Sequence, residues 1–203
     1  MAEGETGALD ERLLLALRTP GVPSDPIGPR WFEESMRDIT ALGGFTILTL
    51  LTLTAVIALL RFARRREAAV LAVVVIGTQL SSEGLKLLYG RPRPSLVPHG
   101  SIVYSNSFPS GHSALSAVTY LMLAVLLAGL ARRRTSKTMI YTLAILVIIG
   151  VGLSRIYLGV HWPTDVLAGW SLGAAWTLLG WTILGLQPSA SNADALAPTS
   201  SQA

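Results

Sequence analysis

The sequence has no cysteine in its 203 residues, which excludes disulfide frameworks, thiolate metal sites and cysteine nucleophiles. Charge is also scarce. Charged side chains make up 14% of the chain, against roughly 25% in soluble globular domains. The hydrophobic fraction is 51% and mean hydropathy is +0.52. An ordinary soluble domain is thereby excluded, and a polytopic membrane protein is indicated. The amino terminus opens on acidic residues and lacks a basic segment followed by an apolar one, so no cleavable signal peptide is expected.

The net charge of +4 hides an asymmetry. Residues 1–38 carry four basic and eight acidic side chains, and the remainder carries twelve basic and four acidic. These basic residues lie between apolar runs, where topology and an anionic substrate explain them better than nucleic acid, which is not expected as a partner.

The apolar runs set the organisation. Residues 1–38 read as an amphipathic, interfacial segment with short helices at Leu9–Arg18 and Arg30–Asp38, broken by the Pro- and Gly-rich Pro20–Pro29. Trp31 and Phe32 suit an interfacial aromatic belt. Residues 39–186 form the transmembrane domain, with five spans: Ile39–Leu60, Ala68–Leu88, Gly111–Ala131, Thr138–Leu153 and Pro163–Leu186. The expected fold is therefore an all-α integral-membrane bundle of about five transmembrane helices plus short N-terminal amphipathic helices. Residues 187–203, rich in Ala, Ser and Pro, are expected to form a disordered tail.

Counting crossings places two tight basic clusters, Arg61/Arg64/Arg65/Arg66 and Arg132/Arg133/Arg134/Lys137, on one membrane face. The positive-inside rule makes that face cytoplasmic. Three polar islands then share the opposite, extracytoplasmic face: Lys86–Pro94, Pro109–His112 and Ser154–Asp165. Of the basic residues on that face, Lys86, Arg91, Arg93 and Arg155 are candidates for being held in a site. Ionisable residues beside membrane spans are costly and read as functional.

Lys86, Arg93 and Arg155 are cations with too few local carboxylates to neutralise them, and they call for an anion. Arginine offers forked donors to phosphate oxygens, and lysine adds a point charge. Glu83, three residues before Lys86 on a helix, is close enough to pair with it. Ser110 is a good N-cap, and Gly111 lets the first-turn amides approach a ligand closely. His112, in the same turn, can reach that ligand. Pro163 suits the first turn of a helix, which puts Asp165 where its carboxylate can bend back to His161, four residues earlier. A carboxylate on one imidazole nitrogen fixes the tautomer and frees the other to attack. The blander alternatives are lipid head-group anchoring by the basic residues and simple capping by Ser110 and Asp165.

Taken together these residues describe phosphoryl transfer. His161 is the nucleophile, Asp165 orients it, and His112 is the general acid and base. Lys86, Arg93, Arg155, Ser110 and Gly111 hold the phosphate oxygens. No cluster with metal-ligand spacing appears, so neither a metal nor another cofactor is expected.

Lys86-(six residues)-Arg93-Pro94, Pro109-Ser110-Gly111-His112 and Ser154-Arg155-(five residues)-His161-(three residues)-Asp165 resemble the tripartite signature of the type-2 phosphatidate phosphatase superfamily, the lipid phosphate phosphatases. The resemblance spans about Ala68–Leu186. It implies a helical-bundle membrane enzyme that cleaves phosphate monoesters or diphosphates of lipids without a metal, with the same roles for these eight residues. Bacterial membrane members often have six spans, where five are counted here. Membrane lipids and a phosphorylated lipid substrate are the implied partners. Undecaprenyl diphosphate ranks first, ahead of phosphatidylglycerol phosphate, phosphatidate and lipid A phosphate, because a compact chain with an outward site suits carrier-lipid recycling. The rival readings are a vanadium haloperoxidase-like enzyme, a non-catalytic lipid-phosphate binder and an anion transporter. His99 is expected in the loop near the site. Tyr104, Asn106, Phe108 and the tryptophans Trp162, Trp170, Trp176 and Trp181 are expected mainly to pack.

Overall fold

In the computed structural model, which describes residues 2–101 and 105–185, with side chains from residue 7, the chain is a bundle of seven α-helices and one two-stranded ribbon. The helices are α1 (Ala2–Leu15), α2 (Arg30–Ala41), α3 (Phe45–Arg61), α4 (Arg65–Tyr89), α5 (Gly111–Leu130), α6 (Arg134–Tyr157) and α7 (Pro163–Leu184). The strands β1 (Arg18–Thr19) and β2 (Val22–Pro26) pair antiparallel between α1 and α2. The region expected to be a tail, 187–203, and Tyr104 lie outside the described residues.

Four helices, α4 to α7, are each long and apolar enough to span a membrane, and α2 with α3 makes a fifth crossing if that bent pair is one span. The chain is therefore a multi-pass membrane protein. The outward faces of these helices carry large apolar side chains, among them Leu53, Ile57, Val73, Ile76, Leu80, Leu143, Leu146 and Leu178. Such helices are at home only in lipid. Some interior hydroxyls bond back to their own helix, as Thr78 does to the Val74 carbonyl and Thr177 to the Gly173 carbonyl, both at 2.8 Å.

Besides α1, which runs from Ala2 to Leu15 rather than from Leu9 to Arg18 and leaves Arg18 to β1, two details depart from the sequence expectation. The first span is not one helix from Ile39: α2 continues to Ala41, and the chain bends by 42° before α3. The cause is Gly43 and Gly44 in an uncharged run. A Cβ on Gly43 would lie 2.3 Å from Val151 Cγ1 of α6, so that contact is open only to glycine. The second departure is the ribbon. The Pro20–Pro29 stretch does break the helix, but it then pairs across a turn at Gly21, which has φ of +80°. Pro23 and Pro26 are tolerated because each strand of a two-stranded ribbon has a free edge.

Helix α5 lies at the centre, with every residue from Ser113 to Thr119 buried. Its tightest neighbour is α7. A Cβ on Gly169 would meet the Ser110 carbonyl oxygen at 2.6 Å, and one on Gly173 the Ala114 carbonyl oxygen at 2.4 Å. Together with Ser113, Ala114 and Ala117 opposite, these glycines make a small-residue seam that lets the two backbones touch. Gly173→Val should therefore destabilise the bundle by about 1–3 kcal/mol, the usual cost of overpacking. Gly129→Ala, whose Cβ meets nothing within 4 Å, is the control. Melting of the detergent-solubilised proteins checks this, and equal midpoints for the two variants would contradict the seam.

Candidate active site

The C-terminal ends of α4 and α6 and the N-terminal ends of α5 and α7 meet at one end of the bundle. The connection from α6 to α7 is built to present a histidine. Gly159 has φ of +69°, and a Cβ there would lie 2.5 Å from Val97 Cγ2 and 3.0 Å from the Pro98 carbonyl oxygen. A left-handed glycine thus ends α6, the Val160 and His161 amides fold back onto the Arg155 carbonyl, and His161 points inward at 2% exposure. Two residues later Pro163 starts α7.

Asp165, fully buried in the first turn of α7, is held on both carboxylate oxygens. Oδ2 accepts from the Trp162 amide at 2.9 Å, from Ser107 Oγ and from His161 Nδ1 at 3.4 Å. Oδ1 accepts from Arg91 at 2.6 Å. The backward bend of the carboxylate onto residues preceding α7, expected from Pro163, is present. With Nδ1–H directed at Asp165, His161 Nε2 carries the lone pair, and it faces Arg93 Nη1 at 3.1 Å. Arg93 is itself fixed by the Val160 and Ser105 carbonyls, each at 2.7 Å.

Lys86 and Arg155 are both buried, at 8% and 3% exposure, and among the described residues neither has a fully buried carboxylate partner. Lys86 Nζ bonds Glu83 at 2.9 Å, but the Glu83 side chain is 47% exposed. Its ammonium also lies against the N-terminus of α5, 3.3 Å from where a Gly111 Cβ would be. Arg155 Nη1 donates to Thr40 Oγ1 at 3.1 Å, while its buried Nε has no partner among the described residues. His112 is half-buried in the first turn of α5, within Coulombic range of Arg155, His161, Lys86 and Arg93.

All eight residues proposed from the sequence therefore converge on one end of the bundle, with one difference in detail. Ser110 does cap α5, its Oγ accepting from the Ser113 amide at 3.4 Å and from Ser113 Oγ at 3.0 Å. Its own amide, expected to face phosphate, instead donates to the Asp165 carbonyl at 3.0 Å. The seam between α5 and α7 brings that carbonyl within reach, and the amides left free are those of Gly111 and His112.

Two participants, Ser107 and Asp10, escaped the sequence reading, and a third, Arg91, was a candidate for being held in the site but without a role or a partner. Ser107 had no signal beyond lying near the Ser110 motif. Arg91 stands two residues before Arg93 beyond Pro92, and its charge was noted without a partner. Asp10 was one of eight acidic residues in the N-terminal segment. His99 sits in the loop, with Nε2 2.8 Å from the Pro94 carbonyl. Asn106 and the tryptophans Trp162, Trp170 and Trp176 pack and hydrogen-bond locally, and Phe108 lies edge-on to Tyr89. Among the described residues no group of three or more His, Cys, Asp or Glu could hold a metal ion.

The PAP2 superfamily pattern matches residues 67–188. A phosphatidylglycerophosphatase B of Bacillus subtilis is 41% identical over 70% of this chain and 70% of its own length. An undecaprenyl-diphosphatase of Sulfolobus acidocaldarius is 41% identical over 34% of this chain and 29% of its own. A lipid A 4'-phosphatase of Porphyromonas gingivalis is 34% identical over 52% of this chain and 45% of its own. Among solved structures, a transmembrane PAP2-type phosphatidylglycerolphosphate phosphatase from Bacillus subtilis superimposes with a TM-score of 0.81, at 30% identity, covering 92% of this chain and 90% of that one. Aquifex aeolicus LpxE shares the fold alone, with a TM-score of 0.63 at 21% identity over 86% of this chain and 95% of its own.

Burial, reinforced by Arg155 and Arg93 and opposed by Asp165, pushes His161 down from 6.5 to about 4. A depressed histidine is neutral above its own pKa, so the neutral imidazole, with its one proton on Nδ1, is the form favoured near neutral pH. Nitrogen-15 spectra of the labelled protein at pH 6 should show His161 neutral and protonated on Nδ1. A doubly protonated ring at that pH would contradict the wiring.

Proposed function

The chain belongs to the PAP2 superfamily, and from that premise we propose that it is a lipid phosphate phosphatase working through a phosphohistidine on His161. The observation that carries this reading is an Asp165-oriented imidazole facing Arg93, with Arg155 and Lys86 at the same end of the bundle, both buried and without a buried counter-ion among the described residues. Such a set of charges is suited to an incoming phosphate.

His161 Nε2 attacks phosphorus as the bond to the lipid oxygen breaks, and His112 protonates that oxygen. A water deprotonated by His112 then attacks phosphorus, the N–P bond breaks and inorganic phosphate leaves. Asp165 stabilises the charge that develops on the His161 ring. Arg93 moves its Nη1 donor from the nucleophile to a phosphate oxygen. Arg155, Lys86, the Ser110 hydroxyl and the Gly111 and His112 amides take the others. Fixed cations do the electrostatic work that a metal does elsewhere, so the reaction is proposed to be metal-independent.

The end of the bundle that holds the site faces the extracytoplasmic side of the plasma membrane, because both arginine clusters lie at the opposite end. Residues 39–186 make up the phosphatase domain, with residues 1–38 at the outer interface. Among lipids we place phosphatidylglycerol phosphate first, ahead of undecaprenyl diphosphate. The relative and the solved structure that cover most of the chain are named for that substrate, and they outweigh the argument from compactness that favoured the carrier lipid.

Phosphate release by purified protein from phosphatidylglycerol phosphate, undecaprenyl diphosphate and phosphatidate in excess EDTA tests this. Release should persist in EDTA and fall at least about a thousandfold in His161→Ala, the scale of losing a covalent nucleophile. Equal release by the variant would remove the nucleophile, and loss in EDTA restored by a divalent cation would remove metal independence.

A further inference from the structure

The oxygen of Asp165 that faces away from His161 leads into the N-terminal segment. Arg91 Nη1 binds Asp165 Oδ1 at 2.6 Å, and Arg91 Nη2 binds Asp10 Oδ2 at 2.7 Å. The Asp10 side chain is 1% exposed and that of Asp165 is 0%. Asp10 Oδ1 accepts from the Thr164 amide at 2.9 Å, which satisfies a free donor in the first turn of α7. Its Oδ2 also accepts from the Thr164 hydroxyl, which in turn accepts from Arg91 at 2.8 Å. The Arg91 guanidinium further stacks 5.6 Å from the Trp162 ring centroid. A cation thus sits between two buried carboxylates, one on α1 and one on α7. The α1 residue lies outside the region 67–188 that matches the family pattern.

We propose that Asp10 and Arg91 are positioning residues for the His161–Asp165 pair, so that helix α1 is a working part of the active site. The proposal rests on the reading of His161 as nucleophile. Arg91 fixes the Asp165 carboxylate and would draw its negative charge away from His161. Asp10 supplies a second anion to share that cation, leaving the Asp165 charge available to the imidazole. By bonding Thr164 it also fixes the turn that carries Asp165. With both carboxylates buried and Arg91 27% exposed, the two ion pairs are only partly screened by solvent, and removing one partner redistributes charge onto the catalytic pair.

The charge model gives the two halves of the link opposite signatures. His161 is faced by Arg93 from the loop, Arg155 from α6, Asp165 from α7 and His112 from α5, and these stay constant among the variants. Asp10→Asn leaves the Arg91 cation bearing on Asp165 alone, so the protonated imidazole is disfavoured and the acid limb of kcat/KM moves to lower pH. Arg91→Met frees both carboxylates, and the limb moves to higher pH. Each shift should be about half a pH unit. Arg91→Lys, which keeps the charge, should leave the limb near its original place. Asp10→Asn should also lower kcat about tenfold with KM changed less than about twofold, as the partners of a ligating histidine do at metal sites.

The experiment is the pH dependence of hydrolysis of a short-chain phosphatidylglycerol phosphate by the full chain in detergent, for these three variants and His161→Ala. Opposite shifts of the limb support the proposal. Limbs that stay in place, limbs that move together, or an unchanged kcat in Asp10→Asn overturn it. If Asp10→Asn does not fold, Arg91→Met against Arg91→Lys decides by the same upward shift and its reversal. Full activity in His161→Ala would instead sink the nucleophile assignment itself, which separates the two failures.

Discussion

The approach of α5 to α7 sets the position of everything else at the site end. With glycine at 169 and 173 on one helix and serine and alanine on the other, the backbones meet without side chains between them. The Ser110 amide can then bond the Asp165 carbonyl. That bond locks the first turn of α5, with Gly111 and His112, onto the first turn of α7, with Asp165. The two N-terminal helix dipoles therefore point into one small volume, where the Gly111 and His112 amides of α5 are the ones left free among the described residues. Bulk anywhere along the seam would separate the proposed acid and base from the proposed nucleophile.

Charge is arranged around that seam in two layers. The inner layer is under-neutralised: Arg155 bonds only a hydroxyl among the described residues, and Lys86 has only a half-exposed glutamate. The outer layer carries a surplus of negative charge, with the single cation Arg91 between Asp10 and Asp165. Buried charge without a partner is costly, which is why phosphate is the partner proposed for the inner layer. The outer layer holds the Asp165 carboxylate from the side away from His161.

Much of the site was readable in the sequence because its parts are local. Pro163 fixes where α7 starts, so a carboxylate two residues on and a histidine two residues back are placed by capping geometry alone. Ser110 before Gly111 announces a helix start in the same way. The features that escaped are those decided by residues far apart in the chain. Asp10 and Arg91 are 81 positions apart, and nothing near either names the other. The break at Gly43 is decided by Val151 of α6, so an uncharged run read as one continuous span. The ribbon at Arg18–Pro26 was hidden for another reason. Its prolines argue against a strand, and only an edge position admits them.

The central claim is that Asp165 holds the Nδ1 proton of His161 and leaves Nε2 to attack phosphorus. It is tested most directly by quenching the enzyme during turnover of phosphorus-32-labelled substrate under alkaline conditions and locating the phosphoryl group by peptide mass spectrometry and phosphorus NMR. The account predicts one acid-labile, base-stable phosphoryl group on Nε2 of His161. A phosphoryl group on Nδ1, on His112 or on a hydroxyl would contradict it.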